Sequence, residues 1–193
     1  MTALNLQPAV FLDRDGTLIR DVGYLTCVEQ IEILKDVPAA LRALRAAGFK
    51  TVVVTNQSAV ARGWLSEAML KQIHRVIQDR LADEDARLDA IYYCPHHPTE
   101  GIGDYRRVCD CRKPSPGMIH RAAAELILEP KRSFVLGDQE VDLELALRVG
   151  AVPLLVRSNG EDALVSHTEI FANIKSAADW IVARGSALIE DAT

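Results

Sequence analysis

The chain has 193 residues, 49% hydrophobic and 25% charged, with a formal net charge of −5; it can bury a real core, and its sign argues against bulk attraction to nucleic acid or an anionic membrane. No apolar run approaches the length of a transmembrane helix, and MTALNLQPAV at the N-terminus lacks the features of a signal peptide, so a cytoplasmic protein is expected. Four cysteines in such a chain point to thiols used as ligands, nucleophiles or core filler, not to a disulfide framework.

The first predicted strand, residues 9–12, runs directly into Asp13-Arg14-Asp15-Gly16-Thr17. Residues 20–35 fit neither helical nor strand periodicity. Asp36 and Pro38 open a helix to Ala47, with Gly48 as its stop. A second strand, 51–55, exits into Thr55-Asn56-Gln57-Ser58, and Ser66 caps a long helix to about Leu81. The third strand, 90–94, leads into an irregular stretch, 95–113. Ser115-Pro116 starts a helix to about Leu126. The fourth strand, 133–136, exits into Gly137-Asp138-Gln139-Glu140, with Asp142 further on; a helix over 138–149 stops at Gly150. A fifth strand spans 153–156, Ser176 with Asp179 opens a last helix, and the tail after Arg184 is expected to fray. This alternation predicts one α/β domain over 1–193, a parallel sheet with helices on both faces.

In open α/β sheets, ligands bind beyond the carboxyl ends of the strands. Three exits here deliver polar groups to one edge, where Asp13, Asp15 and Asp138 can converge. Crowded carboxylates are unfavourable unless a cation sits between them, and an all-oxygen donor set suits Mg²⁺. An Asp held beside an electrophile can act as a nucleophile, while a second protonates the leaving oxygen and then activates water. Lys113 can reach a phosphate as a point charge, and Arg112 beside it as a fork. Each feature has a plainer reading: an exposed Asp turn, Thr55 as a turn cap, Asp138 as a helix cap, Arg112-Lys113 as a solvated basic pair. Three polar exits at one edge favour a site.

In the stretch CPHHP to CDC, Cys94 and His96 flank one residue, as do Cys109 and Cys111. Three thiolates and one imidazole suit tetrahedral Zn²⁺, although the spacing is tighter than C-x2-C. His97 is an alternative nitrogen ligand, and loop thiols beside a solvated His96 are the plainer reading. A structural zinc would staple the loop 94–113 and end it at Arg112-Lys113. Cys27 is left as filler.

DRDGT at 13–17, TNQS at 55–58, Lys113 and GD-xxx-D at 137–142 together resemble the haloacid-dehalogenase-like (HAD) phosphohydrolases, in order and over most of the chain. The resemblance implies a Rossmann-like fold, Asp13 as nucleophile, Asp15 as general acid/base, Thr55 and Lys113 on the phosphoryl group, and Mg²⁺ on Asp13, Asp138 and Asp15, the last through its backbone carbonyl. Residues 18–50 and 56–89 are too short for a separate cap domain, so an open site is expected. VVVTNQSAVARGWLSEA, IYYCPHHP and VCDCRKPSPGM resemble the heptose-bisphosphate phosphatases in particular. That implies removal of the C7 phosphate of D-glycero-D-manno-heptose 1,7-bisphosphate, on the route to ADP-heptose for lipopolysaccharide. It also implies substrate contacts from Asp21, Val22, Gly23 and Tyr24, from Asn56, Gln57 and Ser58, and from Arg112 and Gln139. Val22 stands where a His is common and Gln139 where a Lys usually follows the metal Asp, so both bear on substrate choice. Histidinol-phosphate phosphatases share DRDGT, TNQ and a zinc loop, but the long 97–108 insert favours the sugar bisphosphate. A silent zinc-stabilised binding module is the reading from another class. A monomer acting on a small molecule, with no nucleic-acid or membrane partner, is expected.

Overall fold

The computed structural model describes residues 6–157 and 168–190. Six parallel strands form one sheet: β1 (Ala9–Leu12), β2 (Lys50–Asn56), β3 (Ala90–Cys94), β4 (Phe134–Gly137), β5 (Val152–Val156) and β6 (Glu169–Phe171), in the order β3-β2-β1-β4-β5-β6. The helices are α1 (Val37–Ala46), α2 (Glu67–Asp83), α3 (Gly117–Leu126), α4 (Glu140–Val149) and α5 (Ile174–Glu190). Short apolar runs make the central strands because both sheet faces are covered by helices. Side chains alternate accordingly. Val10, Leu12, Val53 and Leu136 enter a core with residues of α1, α2 and α5, while Ala9, Phe11, Val52 and Val135 enter a second core with residues of α3 and α4. The strand order reverses at β1, which is paired to β2 on one side and β4 on the other. Ligand sites of doubly wound sheets lie at such a switch point.

Four details depart from the sequence reading. The three-residue edge strand β6 was not anticipated. α4 begins at Glu140, one residue after its cap Gln139, whose backbone N donates to Asp142 Oδ2 at 3.3 Å; Asp138 therefore stays outside the helix. α5 begins at Ile174, where Asn173 Oδ1 accepts from Ser176 N at 2.9 Å, so Asn173 does the capping expected of Ser176. α5 also continues past Arg184 to Glu190, where fraying was expected; residues 191–193 lie outside the described residues.

The two irregular stretches are folded back on the body. Arg20 N donates to Glu32 O at 2.9 Å and Leu34 N to Leu18 O at 3.0 Å, closing a flap around a short 3₁₀ turn, Val28–Gln30. In the loop after β3, His97 N donates to Tyr105 O and Arg107 N to His97 O, each at 3.0 Å, around a second 3₁₀ turn, Gly103–Tyr105. Among the described residues no helix is long and apolar enough to cross a membrane.

Candidate active site

The site lies beyond the ends of β1, β2 and β4. Asp13 N donates to Leu136 O at 2.9 Å, prolonging the β1–β4 ladder and fixing the first residue after the strand. Its carboxylate is buried. Lys113 Nζ donates to Asp13 Oδ1 and to Asp142 Oδ1, both at 2.6 Å. Burial alone would lower the ammonium's pKa, but the two carboxylates raise it above its ordinary value. Lys113 is thus a fixed cation in the floor of the site.

Asp13, Asp138 and Asp142 each bring a carboxylate oxygen within 4.8 Å of the others. Burial pushes Asp13 up to about 6, Lys113 opposing and Asp142 reinforcing. Burial, with Asp13 and Asp142 adding to it, pushes Asp138 up to about 7. One ammonium does not neutralise three crowded carboxylates, two of them buried and the third, Asp138, partly so, and Asp138 Oδ1 itself is buried with no hydrogen-bond partner. Gly16, at φ +76°, lies so close to Asp138 that a Cβ there would run into its carboxylate. An orphaned buried oxygen in an all-oxygen donor set fits a hard divalent cation such as Mg²⁺.

The carboxylate of Asp15 stands outside this group, contrary to the expected convergence of Asp13, Asp15 and Asp138; Asp142 takes its place. The reason is Arg14. Its buried guanidinium turns back on Asp15, with Nη2 at 2.9 Å from Oδ1 and Nε at 3.1 Å from Oδ2. Gln57 Nε2 donates to Asp15 Oδ2 at 2.8 Å. Arg14 in turn donates to Gln57 Oε1 at 2.8 Å and meets His74 Nε2 at 3.1 Å. A guanidinium only donates, so Nε2 accepts and His74 is neutral. Burial, helped by the Arg14 charge, lowers His74 to about 3. His74 was not singled out from the sequence. His74 shares the inward stripe of α2 with Leu70, Ile73, Ile77 and Leu81, a spacing that reads as core.

Thr55, at the end of β2, is buried, and its hydroxyl accepts from Gln57 Nε2 at 2.8 Å. Asn56 Nδ2 donates to Lys113 O at 3.2 Å, and Lys113 N donates to Asn56 Oδ1 at 3.0 Å. A cavity of about 400 Å³ opens over these residues, with Asp13, Asp15, Thr55 and Lys113 among its lining. Of the expected substrate contacts, Asp21, Gly23, Tyr24, Asn56, Gln57, Ser58, Arg112 and Gln139 line it; Val22 does not, and is exposed. Asp138 lines a neighbouring cavity together with Gly16 and Thr17.

The cysteine cluster lies where the two ends of the loop after β3 come together. Cys94 Sγ is 3.5 Å from Cys109 Sγ and 3.2 Å from Cys111 Sγ, and Cys109 and Cys111 are 3.3 Å apart; all are free thiols. His96 Nδ1 lies 3.3 Å from Cys111 Sγ, and the four donor atoms fall within 4.8 Å of one another. Burial and the Arg107 charge lower His96, leaving a neutral imidazole able to donate its lone pair. One nitrogen and three sulfurs converging this closely fit tetrahedral Zn²⁺. The alternative ligand His97 is occupied elsewhere: its Nδ1 accepts from Glu100 N at 3.0 Å. From this cluster Arg112 Nη1 reaches back to donate to His96 O at 3.1 Å, so the end of the loop is tied to its beginning.

The family described as polynucleotide kinase 3 phosphatase matches residues 9–142, and the HAD-hydrolase-like family matches residues 110–182. The chain is 40% identical over 176 residues (91% of this chain, 88% of the relative) to the D-glycero-beta-D-manno-heptose-1,7-bisphosphate 7-phosphatase of Escherichia coli strain K12. It is 47% identical over 138 residues (72% and 74%) to the protein of the same name in Pasteurella multocida. Among solved structures, D,D-heptose 1,7-bisphosphate phosphatase from B. bronchiseptica, complexed with magnesium and phosphate, superposes with a TM-score of 0.79 at 29% identity, covering 92% of this chain and 99% of that one. A HAD-like phosphatase from Mesorhizobium loti superposes with a TM-score of 0.82 at 30% identity, covering 95% and 88%.

Proposed function

The chain belongs to the D-glycero-beta-D-manno-heptose-1,7-bisphosphate 7-phosphatase family of HAD-like hydrolases, and on that premise we propose that it removes the C7 phosphate of this sugar bisphosphate through an aspartyl-phosphate on Asp13. The observation that carries the reading is the placement of Lys113 Nζ, 2.6 Å from Asp13 Oδ1, in a cavity whose lining also holds Asp15 and Thr55.

Asp13 is the nucleophile: its oxygen bonds to phosphorus as the bond from phosphorus to the C7 oxygen breaks. Asp15 donates its proton to that departing oxygen. In the second step Asp15 takes a proton from water as the water oxygen bonds to phosphorus and the bond to Asp13 breaks, releasing inorganic phosphate and restoring both carboxyl groups. Arg14 and Gln57 hold Asp15 in the orientation both steps need. Lys113 and the Thr55 hydroxyl hold the phosphoryl oxygens, and Asp142 keeps the ammonium in place. Mg²⁺ would be held by Asp13, Asp138 and the backbone carbonyl of Asp15, and when bound supplies positive charge opposite the transferring group. Cys94, His96, Cys109 and Cys111 would hold a structural Zn²⁺ that fixes the loop carrying Arg112 and Lys113. Arg112, on the cavity wall, reads the phosphate that is retained. Gln139 lines the same wall without a cation, leaving that recognition to the loop.

Phosphate release from a panel containing the heptose bisphosphate and histidinol phosphate tests the substrate. Faster turnover of histidinol phosphate overturns it. Trapping with rapid acid quench tests the chemistry: one phosphoryl group is expected on Asp13 by mass spectrometry, and none in Asp13→Asn, which also loses turnover. Phosphorylation elsewhere, or nowhere, overturns the mechanism.

A further inference from the structure

At the mouth of the cavity three loops meet on one side chain that the mechanism above does not use. Arg62 lies between β2 and α2, and its side chain is 20% exposed. Its guanidinium carbon stands 5.4 Å from the ring centre of Tyr24, on the flap after β1, and 5.2 Å from that of Trp64. The two rings meet edge to face, 4.6 Å between centres at 87°. Nη1 of Arg62 pairs with Glu100 of the loop after β3. Nε is buried with no hydrogen-bond partner, so it is aromatic faces and one carboxylate that hold this cation.

The tip of the β3 loop is docked on the same segment. Ile102 N donates to Ala61 O at 2.8 Å. Gly101, at φ +135°, passes so close that a Cβ there would stand 2.8 Å from Ala61 O. Residues 100–102 are therefore seated on residues 61–62, on the loop that the cysteine cluster brackets. On the other side, Tyr24 lines the catalytic cavity while Trp64 and Arg62 do not. Tyr24 is 41% exposed, and Trp64 54%, so the ring is held from behind by that pair while one side stays open.

The geometry points to Arg62 as a positioning residue for substrate recognition: it ties the tip of the β3 loop to Tyr24 and so sets the wall of the mouth that meets the part of the substrate remote from the transferred phosphate. This rests on the phosphatase reading above. The occupant of that wall is a phosphorylated polyol or sugar, whose apolar C–H face packs on an aromatic ring. A small phosphate compound that reaches only the floor does not feel Arg62.

Arg62→Met keeps the apolar stem and removes the fork and charge. With the heptose bisphosphate, KM should rise about tenfold with kcat within about twofold. With acetyl phosphate, kcat/KM should stay within about twofold of wild type. Arg62→Lys should recover part of the KM. Combined with Tyr24→Ala, Arg62→Met should add nothing further to KM, because Arg62 acts through that ring. In a Trp180→Phe background, which leaves Trp64 as the single tryptophan, the emission maximum should move when Arg62 is replaced. An unchanged KM, equal losses on both substrates, or additivity with Tyr24→Ala overturns the proposal. If wild type does not hydrolyse the heptose bisphosphate, the substrate reading fails by itself. The same cycle is then run on the panel compound of lowest KM, and the same outcomes decide the role of Arg62.

Discussion

Asn56 and Lys113 grip each other in both directions: the Asn56 amide donates to the Lys113 carbonyl at 3.2 Å and accepts from the Lys113 amide at 3.0 Å. The exit of β2 is thereby fastened to the end of the cysteine-bracketed loop, 57 residues away in sequence. Asn56→Ala leaves both backbone groups of Lys113 without these partners. A stability loss of about 1–3 kcal/mol is expected by urea denaturation. Because displacements on the order of 1 Å near the reacting atoms are felt strongly, kcat should fall roughly ten- to hundredfold. An unaltered kcat would mean that Asp13 and Asp142 suffice to place the ammonium.

Arg14 acts on Asp15, so its replacement should be felt according to how much the leaving group needs a proton. Arg14→Met should lower kcat by about a hundredfold for an alkyl phosphate, within the range typical of general acid catalysis. The loss should be much smaller for p-nitrophenyl phosphate, whose phenolate leaves unaided. Equal losses for the two esters would confine Arg14 to folding.

His74 carries a pH signature in stability. Its folded pKa, about 3, lies below the value of 6.5 for a free imidazole, so between these limits the unfolded chain binds the extra proton. Stability contributed by neutral His74 is intact above about pH 6.5 and is lost as pH falls, at up to about 1.4 kcal/mol per pH unit. His74→Gln, which can still accept from Arg14, should fall less steeply between pH 6.5 and 4. Urea titrations of both proteins at three pH values in that window check this; parallel slopes would mean that His74 is protonated in the fold.

Cys109→Ser should reduce the bound zinc measured by atomic absorption to well below one per chain. If the ion braces the loop, the variant should lose about 2 kcal/mol or more, a fall in Tm of roughly 4–8 °C for a chain of this size. Retained zinc with unchanged Tm would remove Cys109 from the ligand set.

Much of the sheet was legible because its strands are short β-branched runs, and the exits were legible because polar residues follow those runs abruptly. Thr55, Asn56 and Lys113 lie at the edge where the sequence put them. What was hidden depends on contacts between distant positions. Lys113 and Asp13 are 100 residues apart, and His74 meets Arg14 across 60, which no local pattern encodes. Asp15 was expected beside Asp13 from strand alternation. The turn at Gly16 and the fork of Arg14 send its carboxylate elsewhere, and Asp142, one helical turn beyond Asp138, fills the gap. β6 escaped notice because three residues at a sheet edge, two exposed and one half-buried, leave no periodicity to read.

Apart from Lys113, which the cysteine-bracketed loop delivers, the floor of the cavity belongs to strand ends, whereas much of its rim is lent by loops, three of which meet at Arg62. Inheritance can therefore lengthen, trim or recolour one loop and admit a different molecule without disturbing the reaction beneath. The means of cleaving and the means of choosing sit largely on different segments of this chain, joined where Arg112 precedes Lys113.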